Sequence, residues 1–259
     1  MKRLNSDGLT IVELLVVVIV SGLLMGVIIP FALNYWQKAS LLEASQESLV
    51  SRLNSGDYLR DAIDASSGLI TQNDINDNNV AKVDPSDSTM KHWLPIHAVP
   101  TTIAVGSSGT FTPVIYFNRP SINTSKNIVL NGSIPYEDNT VLYLNGTTKQ
   151  LLARVLANPS APSNRARTSC PSAAATNSCP ADAVVAENVT SVTMRYFSRS
   201  GNLIDYTSVV DPVSGSYIGP DFPSVEVVEF TVKYYVKSQV KSRTNSQTQT
   251  VIRIALRNN

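Results

Sequence analysis

Charge is sparse in this chain. Asp, Glu, Lys and Arg make up 16% of the 259 residues, and 21 basic against 20 acidic side chains leave a formal net charge of +1. That balance gives no support to a general polyanion binder and leaves no acidic tail. Histidine is scarcer still: His92 and His97 stand five apart in the Pro-containing stretch KHWLPIH, the wrong setting for paired helical metal ligands. Surface or packing roles are expected for both. No Gly-rich phosphate loop, nucleophile elbow or HExxH occurs, and no repeat of solenoid or propeller length. The sequence therefore offers no ground for an enzyme, a cofactor or a metal site, and none is expected.

Cysteine is limited to Cys170 and Cys179, each followed by Pro in TSCPSAAATNSCPAD. Two sulfurs and two distant histidines fall short of a zinc site. The expectation is a disulfide, with free thiols as the alternative; closing so short a ring stabilises a domain by about 2–3 kcal/mol in an oxidising compartment. In DINDNN, Asp74, Asn76 and Asn78 alternate like the start of a calcium loop. Asn79 stands where that loop needs Gly and Pro85 where it needs Glu, so a solvated loop is expected. The sequons at Asn123, Asn131, Asn145 and Asn188 read as loop composition.

Against these absences stands one long apolar run that begins in GLTIVELLVVVIVSGLLMG. From Leu14 to Leu33 twenty residues carry no ionisable side chain, and at about 1.5 Å per residue they reach roughly 30 Å as a helix, enough to cross a bilayer. Lys2 and Arg3 should stay on the cytoplasmic side, which puts the rest of the chain outside. PFALNYWQKAS offers no small-x-small cut site, and no cysteine is placed for lipidation. Glu13 is the anomaly. A carboxylate in hydrocarbon costs at least a few kcal/mol without a partner, and the helix dipole returns at most about 1 kcal/mol. Either a cation reaches it from elsewhere, or it sits at the headgroup boundary of a plain signal-anchor helix.

Gly8 followed by LTIVELLVVV resembles the type IV prepilin signal: a glycine before the cut, an apolar residue, Thr, two apolars, Glu and a long hydrophobic helix. The resemblance implies that a prepilin peptidase cuts between Gly8 and Leu9 on the cytoplasmic side and methylates the new amine. Glu13 becomes the fifth residue of the mature chain, where the family pairs its carboxylate with the N-terminal amine of a neighbouring subunit. Leu9 stands where the family usually has Phe. Gly22 and Gly26 form a small-xxx-small pair that permits close helix approach, and Pro30 removes the hydrogen bond to the Gly26 carbonyl, which should kink the helix. The resemblance implies that Gly22 to Pro30 stretches or melts in an assembled filament; the bland alternative is two glycines tolerated in a lipid-facing helix.

Beyond Leu33 the pattern turns amphipathic. Leu42, Leu49 and Leu53 share a face, and Tyr58, Leu59 and Ile63 are expected as the last inward residues of a helix reaching about Ala65, with Gly56 as a break point and Gly68 as a stop. Residues 69–110 show no clear elements. TPVIYFN, NIVLNG, TVLYLNG and KQLLARVL read as strands, with a tight turn at Asn145 and Gly146. VTSVTMRYFS, VEVVEFTVKYYVK and TQTVIRIALRN read as long alternating strands that pair antiparallel. This last stretch more weakly resembles the large minor pilins and pseudopilins of the PilW and GspJ kind. The expected class is α+β: a pilin-like long helix packed on one antiparallel sheet, divided into a leader (1–8), an assembly helix (9–33), its amphipathic continuation (34–66) and a β-rich head (67–259).

Lys233, Lys237, Lys241, Arg243, Arg253 and Arg257 outnumber Glu226 and Glu229, with Tyr234 and Tyr235 interleaved. This face reads as strand-edge protection, with a nucleic-acid grip as the alternative. The functional expectation is a structural subunit, of the minor kind, of a type IV pilus or type II secretion pseudopilus. Its implied partners are other pilin or pseudopilin subunits, the prepilin peptidase and an inner-membrane assembly platform. It would lie single-pass in a bacterial cytoplasmic membrane with its head outside, then in a surface or periplasmic filament. The alternatives are an anchored surface protein that never assembles and a DNA- or surface-binding tip module.

Overall fold

The computed structural model describes residues 10–79, 91–94, 101–105, 111–204, 225–236 and 246–256. A single helix, α1 (Ile11–Asp64), runs for 54 residues, about 80 Å at the helical rise. Thr10 caps its start with extended backbone, and its end is closed by the N–H groups of Ala65 and Ser66, which donate to the carbonyls of Asp61 and Ile63. The expected end near Ala65 is thus observed, and neither Gly56 nor Pro30 interrupts the helix. Gly68 is not the stop; it opens the first strand.

Twelve strands follow among the described residues: β1 (Gly68–Ile70), β2 (Thr102–Ala104), β3 (Phe111–Pro120), β4 (Leu130–Asn131), β5 (Ile134–Pro135), β6 (Glu137–Asn145), β7 (Gln150–Leu156), β8 (Ala183–Ala186), β9 (Val189–Phe197), β10 (Leu203–Ile204), β11 (Val227–Val236) and β12 (Ser246–Ala255). Ten of them form two antiparallel sheets rather than the one expected, and β4 and β5 pair as a separate two-stranded ribbon. The first has the order β1-β3-β6-β7-β8; the second runs β10-β9-β11-β12, with β2 also on β9. A long apolar helix and a separate antiparallel sheet domain are compatible with the α+β layout. Both sheets feed one core, in which Leu59 and Ile63 of α1 meet Ile115, Phe117 and Leu142 of the first sheet and Val192, Phe230 and Val232 of the second. The second sheet alternates: Val228, Phe230, Val232 and Tyr234 are buried and Lys233 is exposed, as one-sided burial requires. β6 is buried on both faces over seven of its residues, because the excursions at 71–79, 91–94 and 157–182 cover its second face.

Four further expectations are corrected. Leu42, Leu49 and Leu53 are exposed. The helix meets the head only from Ser51 onward, through the face of Ser55, Leu59, Ala62 and Ile63, and at about 100° per residue the Leu42 stripe points roughly a third of a turn away from it. The tight Asn145–Gly146 turn is a four-residue connection: Asn145 pairs with Gln150, its Oδ1 accepts from Thr147 N and Thr148 N, and Lys149 takes the left-handed conformation at φ 58. NIVLNG yields only the two-residue β4, paired with β5. Within DINDNN, Asp74, Asn76 and Asn78 are exposed as a solvated loop requires, but Asp77 is buried, as is Asn73 just before the stretch, so the loop is solvated only in part.

Candidate functional site

Glu13, Gly22, Gly26 and Pro30 fall on the apolar first part of the helix, ahead of the stretch that packs into the head. Ile11–Ser40 is apolar and long enough to cross a membrane, with none of its most apolar stretch buried. Gly8 and Leu9 lie outside the described residues. Glu13 occupies the first turn, where its Oε2 accepts from Thr10 N at 2.9 Å and from Thr10 Oγ1 at 3.0 Å, while Glu13 N donates to Thr10 Oγ1 at 3.3 Å. This reciprocal capping box gives the carboxylate two local donors; no cation reaches it among the described residues. Gly22, Gly26 and Pro30 follow at i, i+4 and i+8 and so share one face. A Cβ built on Gly22 or Gly26 meets nothing within 4 Å, so no contact inside the chain calls for glycine at either place.

In the head, the chemistry gathers around a residue that sequence reasoning passed over. Arg154 is 1% exposed in the middle of β7. Its Nη1 donates to Asp77 Oδ2 at 2.8 Å, its Nη2 to Asp182 Oδ2 at 2.6 Å, and Nη1 also to the Asn79 carbonyl at 2.8 Å. Trp93 Nε1 donates to Asp77 at 2.8 Å, and Tyr143 Oη and Ser169 Oγ donate to Asp182 at 2.5 and 2.6 Å. The guanidinium carbon lies 5.5 Å from the Trp93 ring and 5.6 Å from that of Tyr143, within cation–π range. Burial alone would lower the Arg154 pKa, but the bonds and charges of Asp182 and Asp77 drive it above its ordinary value. The Tyr143 hydroxyl is pushed well up, by burial first and by Asp182 second.

This cluster ties three chain segments together. Asp77 comes from the first excursion, Arg154 from the sheet and Asp182 from the end of the cysteine excursion. Cys170 and Cys179 form the expected disulfide, with Cα atoms 5.6 Å apart, and Asp182 N donates to the Cys170 carbonyl at 2.8 Å. A second knot lies at the start of β6. Asp138 Oδ1 accepts from Ser121 Oγ, Asn158 N and Asn164 Nδ2, and Asn139 Oδ1 accepts from Asp74 N and Ile75 N. The hydrogen bonds of both knots hold the loops to the first sheet. The one sequence signal for the first knot was a charge, Arg154, inside the apolar run QLLARVL; Asp77, among the seven other polar residues of TQNDINDNN and without periodicity, carried none.

The remaining candidates separate. His92 Nδ1 lies 2.7 Å from the Asn73 carbonyl, a packing role; His97 lies outside the described residues. No group of three metal-ligating side chains forms among the described residues. Of the basic C-terminal face, Lys233 is exposed, but Arg253 is bound to Glu229 at 2.5 Å and Tyr234 is buried, sharing a 2.7 Å hydrogen bond with Ser55. Tyr234 is therefore no stacking platform. Lys237, Lys241, Arg243 and Arg257 lie outside the described residues. The chain matches no family model, no curated protein and no solved structure.

Proposed function

We propose that this protein is a subunit of a type IV filament, a pilus or a secretion pseudopilus, cut after Gly8 and assembled through the helix that begins at Leu9. The observation that supports it best is the amount of helix with no partner inside the chain. Bilayer crossing uses about 20 residues, yet α1 continues unbroken from a 30-residue apolar segment, Ile11–Ser40, through the exposed Leu42, Leu49 and Leu53 to the head. A plain anchor has no use for apolar side chains between membrane and head; a bundle of parallel helices buries them. Gly22 and Gly26 point the same way, since each weakens a helix by about 1 kcal/mol relative to Ala with no contact inside the chain to offset it. In this role the protein carries no catalytic step and needs no cofactor; its partners are sister subunits, the peptidase and the membrane platform.

A single observation favours the plain anchored protein. Glu13 already holds two donors from Thr10, so an uncut helix starting at Thr10 accommodates its carboxylate at the interface without a second subunit. Mass spectrometry of the native protein separates the two. The filament reading expects a mature chain beginning at methylated Leu9, recovered with sheared filaments, and expects Gly8→Ala to retain residues 1–8 and stay in the membrane. A native chain that keeps those residues refutes it. A tip module that grips DNA would instead show binding that falls steeply with salt.

A further inference from the structure

A cavity of about 270 Å³ opens where the end of β3, the start of β6 and β7 meet the 157–182 excursion, and three guanidinium groups line it: Arg119, Arg165 and Arg167. Among the described residues elsewhere in the head, arginines are matched. Arg154, Arg195, Arg199 and Arg253 each have a carboxylate within ion-pair distance. The three at the cavity have none among the described residues, where Arg167 Nη1 donates to the Asn177 carbonyl at 3.1 Å. Asp138 is the one carboxylate in the wall, and its Oδ1 is engaged by three donors from neighbouring loops. The positive charge at the cavity thus exceeds the negative by two.

A separate observation concerns the same wall. Thr140, which lines the cavity, is 1% exposed, and its Oγ1 is the one buried side-chain N or O without a hydrogen-bond partner among the described residues. Buried hydroxyls are ordinarily paired. The rest of the lining includes Pro120, Ile122 and Val155, so the charged groups surround an apolar interior.

We propose that this cavity binds a carboxylate carried on a short apolar body. Guanidinium forks match a planar carboxylate with two parallel hydrogen bonds, and several of them around one concavity favour an anion. Apolar walls disfavour a fully hydrated oxyanion such as phosphate and favour hydrocarbon next to the charge. The volume suits one aromatic ring or one to two aliphatic side chains. Two sources carry that chemistry, a free small acid and the terminal carboxylate of a peptide, and the test distinguishes them.

The experiment titrates the full chain in neutral detergent with sodium benzoate by calorimetry, with titration into empty micelles subtracted. Saturable single-site binding is expected, weakened at least about tenfold in Arg165→Gln/Arg167→Gln. Both side chains are exposed, so the fold should be retained. Arg199→Gln, which removes an exposed arginine paired to Glu226, should bind as the parent does. A parallel titration uses an acetylated tripeptide ending in valine, as the acid and as the amide. Tighter binding of the acid than of benzoate, lost in the amide, assigns the site to chain termini; benzoate binding alone assigns it to a free acid. Should the double variant fail to fold, the parent protein still decides, because binding through guanidinium must weaken as NaCl rises from about 20 mM to about 0.5 M. The proposal is overturned if neither acid binds beyond micelle partition, if the double variant binds equally, or if salt has no effect.

Discussion

Two charged side chains in this protein sit in apolar surroundings, and they are handled in opposite ways. Arg154 is enclosed by the head, which supplies two carboxylates, a carbonyl and two aromatic faces from three chain segments. Glu13 heads an apolar helical stretch that nothing among the described residues covers, and its donors there come from Thr10, three residues away. The head satisfies Arg154 from within, although its core is completed by Leu59, Ala62 and Ile63 from the end of the helix. The helix is left with a minimal local answer and some forty residues of uncovered surface. In the proposed function this difference assigns the contacts with other subunits to the apolar part of the helix.

The sharpest way to break that comparison is to remove each charge in turn. Arg154→Met leaves Asp77 and Asp182 facing each other in a buried site, and breaking such a pair costs about 3–5 kcal/mol. Denaturation of the full chain in detergent, followed by near-UV circular dichroism, should show the head at or near unfolding. Glu13→Gln should leave that transition within about 0.5 kcal/mol of the parent and act only on processing and assembly. Equal effects on the head would mean that the two regions are not independent. Next in size is the disulfide. Cys170→Ser/Cys179→Ser should lower head stability by about 2–3 kcal/mol in the chain-entropy account, because Asp182 N is held by the Cys170 carbonyl and the looser ring weakens its grip on Arg154.

Alkaline pH gives a smaller, graded effect. The hydroxyls of Tyr143 and Tyr116 are pushed up, in both cases mainly by burial, and those of Tyr58 and Tyr234 follow in the same direction for the same first cause. Below about pH 10 a tyrosine is protonated in the folded and unfolded chains alike, and stability does not depend on it. Above that value the unfolded chain releases protons that the folded chain retains, so head stability falls as pH rises, by up to ~1.4 kcal/mol per pH unit for each such tyrosine. Tyr143→Phe should make this slope shallower by one residue's share. A head whose stability is flat between about pH 9 and 11 would contradict the burial assigned to these hydroxyls.

What could be read ahead of the structure follows the same division. The helix was legible almost to its last residue, because twenty uncharged apolar residues and the amphipathic spacing beyond Leu33 are local signals. So were β9, β11 and β12, whose alternation encodes one buried face. The second sheet was not anticipated as separate, since alternation says which residues are buried but not which strands pair. The Arg154 cluster was illegible for a related reason: Asp77, Arg154 and Asp182 meet from segments with no shared pattern, and Asp77 sits in a string of polar residues that is otherwise solvated. The Leu42, Leu49 and Leu53 stripe was visible as apolar and was assigned to the head; only the phase of the helix relative to Leu59 and Ile63 reveals that it faces elsewhere.

The smallest predicted effect is also the one that turns on assembly. Gly22→Ala and Gly26→Ala each place a methyl group where nothing lies within 4 Å, so in the isolated protein each should be neutral or should strengthen the helix by up to about 1 kcal/mol. Head stability and membrane insertion should not change. If neighbouring helices approach along the face that Gly22, Gly26 and Pro30 share, the same methyl groups hold them apart, and the yield of sheared filaments should fall in proportion to the bulk added, Leu more than Ala. A methyl group that does nothing to the monomer and damages the filament has its contact in another subunit. One that leaves the filament intact assigns this face to lipid and moves the helix contacts to the Leu42 stripe, which Leu49→Lys would then disrupt in its place.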